Sequence, residues 1–410
     1  MLRSVDPGPR AAFNRIWTPE LYARYGSRLQ KALGPIPFRL AETPFFISPP
    51  LRDALATDAV EIVHQLSRPE LLRELMKIIP PQYDTPGMDP LPSCVQVDFA
   101  ITPAPGGGLE GKVVELQAFP SGYAMMTVFA DAWNAELEGQ PGLEGEWTCC
   151  LMPRTEALAL MRDTILGGER PEDVALVDFE PHQQKTVPDF VATEKLFGVE
   201  SACATELVKQ GRRLYRRRDG KLVPIRRIYN RMVFDELEKK GYRLPFEWNE
   251  PLDVTWCSHP NWYWPWSKYS LPFLDHPAVP RATFLSDLRS VPADLSGYVL
   301  KPLFSFAGAG VVIDVTPEDI ARVPEDQRHG WVLQEKIVYA PAIHAPDRTE
   351  VKAEVRVMLL RPPDAPELRP VIHLVRLSRG KMLGVDQNRG LTWVGASVGL
   401  WRADTLRPLG

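Results

Sequence analysis

Cysteine is scarce in this chain. Cys94, Cys149, Cys150, Cys203 and Cys257 form an odd set with no C-x-x-C pair. That excludes a disulfide framework and a structural zinc site of the usual spacing, and it favours a reducing compartment. Long apolar runs are missing too: nothing approaches the ~18–20 apolar residues of a membrane span. The opening Met1-Leu-Arg-Ser-Val-Asp-Pro carries no apolar stretch of a signal peptide. The expectation is a soluble cytoplasmic protein without a membrane partner. Neither sign of charge dominates. The 48 Lys and Arg residues nearly balance 52 Asp and Glu residues, so no global field points to nucleic acid. A Gly-Lys-Ser/Thr signature is absent, which excludes a Walker loop.

Proline is abundant instead, at 41 of 410 residues, about twice the usual share. The prolines are scattered among apolar runs, which implies rigid loops rather than disorder. The length suits two or three packed lobes. The chain divides as follows: 1–90, mainly helical; 91–150, an acidic hairpin and a helix; 151–247, an α/β unit with a basic hairpin; 248–410, the remaining sheet-rich part. Within the first part, residues 48–80 have helical apolar spacing after Ser48-Pro49-Pro50. Residues 93–101 and 112–118 alternate as strands around Gly106-Gly107-Gly108. Helices are expected at Tyr123–Leu137, near 154–166, near 200–210 and at Arg231–Lys240, with a buried strand at Val174–Asp178. Asp219-Gly220 marks the turn of a second hairpin.

The most informative segment runs from Tyr298-Val-Leu-Lys301-Pro302 through Ser305-Phe-Ala-Gly308-Ala-Gly310 to Trp331-Val-Leu-Gln334-Glu335-Lys336-Ile337. A lysine ammonium neutralises phosphate oxygens. A loop of Gly and Ala lets backbone N–H groups come close to them. The apolar strand ends in a hinge that offers backbone hydrogen bonds to a planar base. Val311–Val315 reads as a strand continuing from the loop, so this is not a Rossmann turn. Upstream, Lys268 in Trp266-Ser267-Lys268 reads, taken alone, as a solvated surface lysine; a second reading has it reaching the same phosphates. A separate acidic set lies on the first hairpin: Asp98 in Val97-Asp98-Phe99, and Glu115 with Gln117 on the facing strand. Two carboxylates and an amide oxygen on one face suit Mg²⁺, and an exposed polar face is the alternative.

Taken in order, these signals resemble the circularly permuted ATP-grasp ligases, the group of glutathionylspermidine synthetase and eukaryotic glutathione synthetase. The resemblance covers roughly residues 93–400. It implies an α+β ATP-grasp-like fold, with antiparallel sheets around a nucleotide cleft. It implies ATP and Mg²⁺ as cofactors and an ADP-forming carboxylate–amine ligase acting on small molecules. It assigns the metal to Asp98, Glu115 and Gln117. Lys268, Lys301, Ser305, Gly308 and Gly310 would hold the phosphates, and Gln334, Glu335 and Ile337 the base. Arg376, in Val375-Arg376-Leu-Ser378, and Lys301 would be catalytic. Two departures stand out: Gln117 replaces the family's asparagine, and Gln96 replaces a frequent arginine. A nucleotide-binding protein without ligase activity is the alternative. Arg356, in Glu354-Val-Arg356, reads either as a further phosphate group or as a surface ion pair with Glu354.

Three other features have two readings each. The basic run from Lys209 to Arg227 suits nucleic acid or an acidic substrate on one reading, and a solvated hairpin or a homo-oligomer contact on the other. Trp256, Trp262, Tyr263, Trp264, Trp266 and Tyr269 suit a pocket wall or a loop core. Ser121 and Tyr123 lie beside the acidic set and are placed near an acceptor carboxylate.

Overall fold

The computed structural model describes residues 7–305, 308–380, 388 and 390–407. Four helices open it: α1 (Pro7–Ile16), α2 (Pro19–Leu33), α3 (Pro49–Leu66) and α4 (Pro69–Leu75). Each starts on a proline, whose fixed φ suits a first turn and whose missing N–H is not needed there. Thr18 caps α2 by accepting from the Leu21 N–H at 3.2 Å. Leu21, Tyr25, Leu29 and Leu33 form its buried stripe. The helical stretch expected over 48–80 is broken between α3 and α4, because Pro69 disfavours helical backbone at Arg68.

Next come β1 (Cys94–Pro103) and β2 (Leu109–Gln117), an antiparallel hairpin, and then α5 (Tyr123–Leu137). The middle of the chain holds α6 (Arg154–Leu166), β3 (Val174–Asp178), α7 (Val187–Phe197) and β4 (Ser201–Cys203). It continues with β5 (Arg213–Arg218), β6 (Lys221–Ile225), β7 (Arg227–Asn230), α8 (Phe234–Lys240) and β8 (Thr255–Cys257). A parallel sheet forms in the order β8-β7-β3-β4. The helix expected near 200–210 is absent. Val208–Gln210 instead pairs with β5, so long-range pairing overrides the local pattern. The helix lies earlier, as α7, and ends at Gly198 with φ +75°. The expected helix at Arg231–Lys240 begins only at Phe234.

The remaining elements are β9 (Ala282–Phe284), β10 (Tyr298–Pro302), α9 (Pro317–Ala321), β11 (Trp331–Glu335), β12 (Glu350–Leu360), β13 (Arg369–Ser378) and β14 (Gly395–Ser397). β11 lies between β9 and β10, antiparallel to both. The largest sheet runs β14-β13-β12-β1-β2, with Ile343–His344 also on β12. The acidic hairpin and the C-terminal strands therefore share one antiparallel sheet. Val311–Val315 does not continue as a strand. Val312 makes a single bridge back to Leu300, with N–H···O distances of 2.9 Å both ways.

The two faces of this sheet have different fates, because side chains alternate along each strand. Val95, Val97, Phe99, Val355, Val357 and Leu359 pack with α3 residues in one apolar core. Each large side chain buried there contributes about 1.5–3 kcal/mol. The helix sits close: a Cβ at Gly111 would overlap Leu55 and Phe99. On the opposite face, α5 covers one end, with Met126 in a core that includes Met358 and Leu374. The rest of that face carries Gln96, Asp98, Glu354, Arg356 and Arg376.

Candidate phosphate-binding cleft

Strand register assembles the site. Asp98 lies opposite Glu115 on β2 and opposite Arg356 on β12. Glu354 lies opposite Arg376 on β13. Directly opposed residues point to the same face, so these five charged groups form one strip. The ladder shifts between Asp98 and Phe99, a bulge that re-aims side chains locally.

Asp98 is almost wholly buried and joins two guanidiniums. Arg356 binds it as a fork, Nε to Oδ1 at 2.5 Å and Nη2 to Oδ2 at 2.7 Å. Arg376 Nη2 donates to the same Oδ2 and to Glu354. Tyr339 donates its hydroxyl to Glu354 at 3.1 Å. Burial pushes the Asp98 carboxyl up, but Arg356 and Arg376 outweigh it and hold it below its usual range. For Glu354 burial prevails over Arg376 and the carboxyl is raised. Burial would lower the Arg376 value, but Glu354 and Asp98 hold it above the ordinary arginine range. Arg376 keeps 33% of its side chain exposed.

The lysines arrive from outside this sheet. Lys268 opens a 3₁₀ turn, Lys268–Phe273. Its Nζ donates to the Ser305 carbonyl at 2.5 Å and lies 3.4 Å from Glu115 Oε2. It is buried, so its reading as a solvated surface lysine does not hold. Lys301, on β10, donates to Gln334 Oε1 at 2.7 Å and to the Val114 carbonyl at 3.0 Å. Burial pushes its ammonium down to about 8. A small recess of about 20 Å³, open to solvent, lies beside Lys268. Glu115, Gln117, Phe119, Tyr263 and Phe304 line it. The structure thus brings Asp98, Glu115, Gln117, Lys268, Lys301 and Arg376 into one region, although their segments lie far apart in sequence.

Several expectations change here. Gln334 is wholly buried, with its amide on Lys301. The hinge N–H groups of Glu335 and Lys336 are taken by the Arg281 and Gly297 carbonyls at 2.8 Å each. Neither is presented to a base, because β11 is the central strand of its sheet. Ile337 follows in unpaired extended chain, beside Val338 at 72% exposure. In the loop, Gly308 and Gly310 both take φ +74°, a conformation that favours glycine. Phe306 and Ala307 lie outside the described residues. Arg356 is buried on Asp98 rather than paired at the surface with Glu354. Tyr339 was not singled out from sequence, and Glu354 was named only as a surface partner of Arg356. The period-two pattern Lys352-Ala-Glu354-Val-Arg356-Val was the signal that could have placed Glu354 in the site.

The expected magnesium set does not fit this arrangement. Both Asp98 oxygens are occupied by guanidinium donors. The Gln117 amide sits 2.7 Å from that of Gln96. With its oxygen turned to Arg356 it accepts at 3.1 and 3.2 Å. Glu115 and Gln117 line the recess, and Glu115 Oε2 lies 3.4 Å from Lys268. Two further readings are settled by packing. The Tyr123 hydroxyl donates to the Val95 and Leu359 carbonyls within the core, at 3.0 Å each. Trp262 is wholly buried and Trp264 packs on Phe234 and Tyr83, while Tyr263 and Trp266 line the recess, so the stretch is both loop core and pocket wall. In the basic run, Lys209, Arg212 and Arg218 pair with Glu250, Asp253 and Glu200. Arg227 is buried against the Thr164 and Ile165 carbonyls. Much of that charge is thus neutralised locally.

No family model and no curated protein matches the chain. Among solved structures it is similar to a glutathione synthetase-like effector from Globodera pallida, solved in apo form. That match has a TM-score of 0.55 at 11% identity, covering 89% of this chain and 96% of the other. The chain shares that protein's fold.

Proposed function

We propose that this cleft binds the phosphates of ATP and that the chain is an ATP-dependent carboxylate–amine ligase. The observation that carries the reading is the meeting of Lys268, Lys301 and Arg376, from three separate segments, on one charged strip. Phosphoryl transfer needs mainly positioning and charge neutralisation. Lys268 and Lys301 neutralise the α- and β-phosphates. The exposed side of Arg376 faces the transferred phosphoryl group. A substrate carboxylate oxygen attacks the γ-phosphorus, the bond to the β-phosphate oxygen breaks, and ADP leaves. An amine then attacks the acyl phosphate and expels inorganic phosphate, giving an amide. The glutathione synthetase-like fold supports this class of chemistry. The test is phosphate release from ATP with panels of amino acids, short peptides and amines, with mass detection of the adduct. Phosphate release that depends on both partners supports ligation.

A second reading is nucleotide binding without ligation. The closure of Asp98 and Gln117 onto Arg356 favours it. ATP binding with no phosphate release from any pair would select it.

A further inference from the structure

We infer that this cleft takes its phosphate ligand without a divalent cation, the fixed guanidiniums of Arg356 and Arg376 supplying the charge. The inference rests on the phosphate-binding reading above. A cation held by the protein needs free, anionic oxygen donors converging on one point. Of the three carboxylates on the strip, Asp98 and Glu354 are already committed. Asp98 gives Oδ1 to Arg356 Nε at 2.5 Å, and Oδ2 to Arg356 Nη2 at 2.7 Å and to Arg376. The Asp98–Arg356 fork is the strong, charge-assisted kind, and both partners are buried. Glu354 accepts from Arg376 and from the Tyr339 hydroxyl. The Gln117 amide donates to Gln96 Oε1 at 2.7 Å; turned over, it instead gives its oxygen to Arg356. Glu115 remains, with Lys268 3.4 Å from its Oε2. Among the described residues, the three carboxylates do not bring one oxygen each within 4.8 Å of one another.

The charge count agrees with the geometry. Lys268, Lys301, Arg356 and Arg376 face Asp98, Glu115 and Glu354, four cations against three anions. Such a strip attracts a phosphate chain and repels a dication. For a metal to enter, Asp98 must let go of a buried guanidinium, which then has no carboxylate partner. Asp98 and Glu354 are positioning residues on this account: they aim the arginines.

The test is calorimetric titration of ATP into the full chain, in EDTA and in magnesium chloride at matched ionic strength. The expected result is equal or tighter binding in EDTA. Binding at least tenfold tighter in magnesium overturns the inference and leaves the phosphate reading standing. No binding in either buffer overturns both. Manganese alone, titrated and read by its paramagnetic resonance signal, is a second measurement free of nucleotide. Any manganese retained at millimolar concentration is expected to remain in Asp98→Asn; a site lost in Asp98→Asn would also overturn the inference.

Discussion

Replacing Asp98 by alanine should be among the most destabilising single changes in this protein. The carboxylate is 1% exposed and bridges Arg356 and Arg376. Arg376 retains Glu354 in the variant, but Arg356 loses its only carboxylate partner among the described residues, at a buried site. Removing one member of a buried ion pair typically costs ~3–5 kcal/mol, because the other charge is left without compensation. Total stability is of the order of 5–15 kcal/mol, so the variant should lose a large part of it. Urea unfolding measures this as a drop in midpoint at unchanged slope. The double variant Asp98→Leu with Arg356→Met removes both charges and should recover at least about 2 kcal/mol of the loss. The pH dependence has a definite sign. The Asp98 carboxyl is held below its usual value in the fold. Its contribution is therefore complete above the unfolded value of about 3.9 and is lost as pH falls through the folded value. A loss under about 1 kcal/mol in Asp98→Ala would refute the clamp.

Three further outcomes are expected. Lys301 is pushed down to about 8, so above that pH the unfolded chain binds a proton that the fold does not. Stability should therefore rise from about pH 8 to about 10.4, by on the order of 3 kcal/mol, and Lys301→Met should flatten that slope in urea titrations at stepped pH. Lys268→Ala removes a charge-assisted phosphate donor and should weaken ATP binding ~10–100-fold by calorimetry, with the fold retained in circular dichroism. Asp189, wholly buried, accepts from the Gly122, Ala124 and Met125 N–H groups at 2.9, 3.1 and 3.1 Å at the start of α5. Asp189→Ala leaves those donors buried and should cost about 2–3 kcal/mol in urea unfolding.

How much of this was legible in the sequence depends on the range of the cause. Helices α5 and α6 and strand β3 follow from local signals and lie where the periodicity puts them. The β5–β6 turn follows from Asp219-Gly220, whose φ values are +49° and +76°. The polar residues Asp98, Glu115, Lys301 and Arg376 could be named because each interrupts an apolar strand. Their meeting was an expectation of the family resemblance rather than of any one strand. The partners were not legible. Arg356 meets Asp98 only because β12 inserts beside β1 in one register, and a one-residue slip would turn it to the other face. The hinge failed for the same reason. Nothing local to Gln334 and Glu335 says that β9 and β10 flank β11 and use up its N–H groups.

The central claim is carboxylate activation by ATP in this cleft. The direct measurement supplies ATP with a panel of ¹⁸O-carboxylate amino acids and short peptides, each with an amine, and weighs the released phosphate. The account predicts one ¹⁸O atom carried from a carboxylate into phosphate, lost in Arg376→Ala. Released phosphate without ¹⁸O, or bound ATP that releases none with any pair, would contradict it.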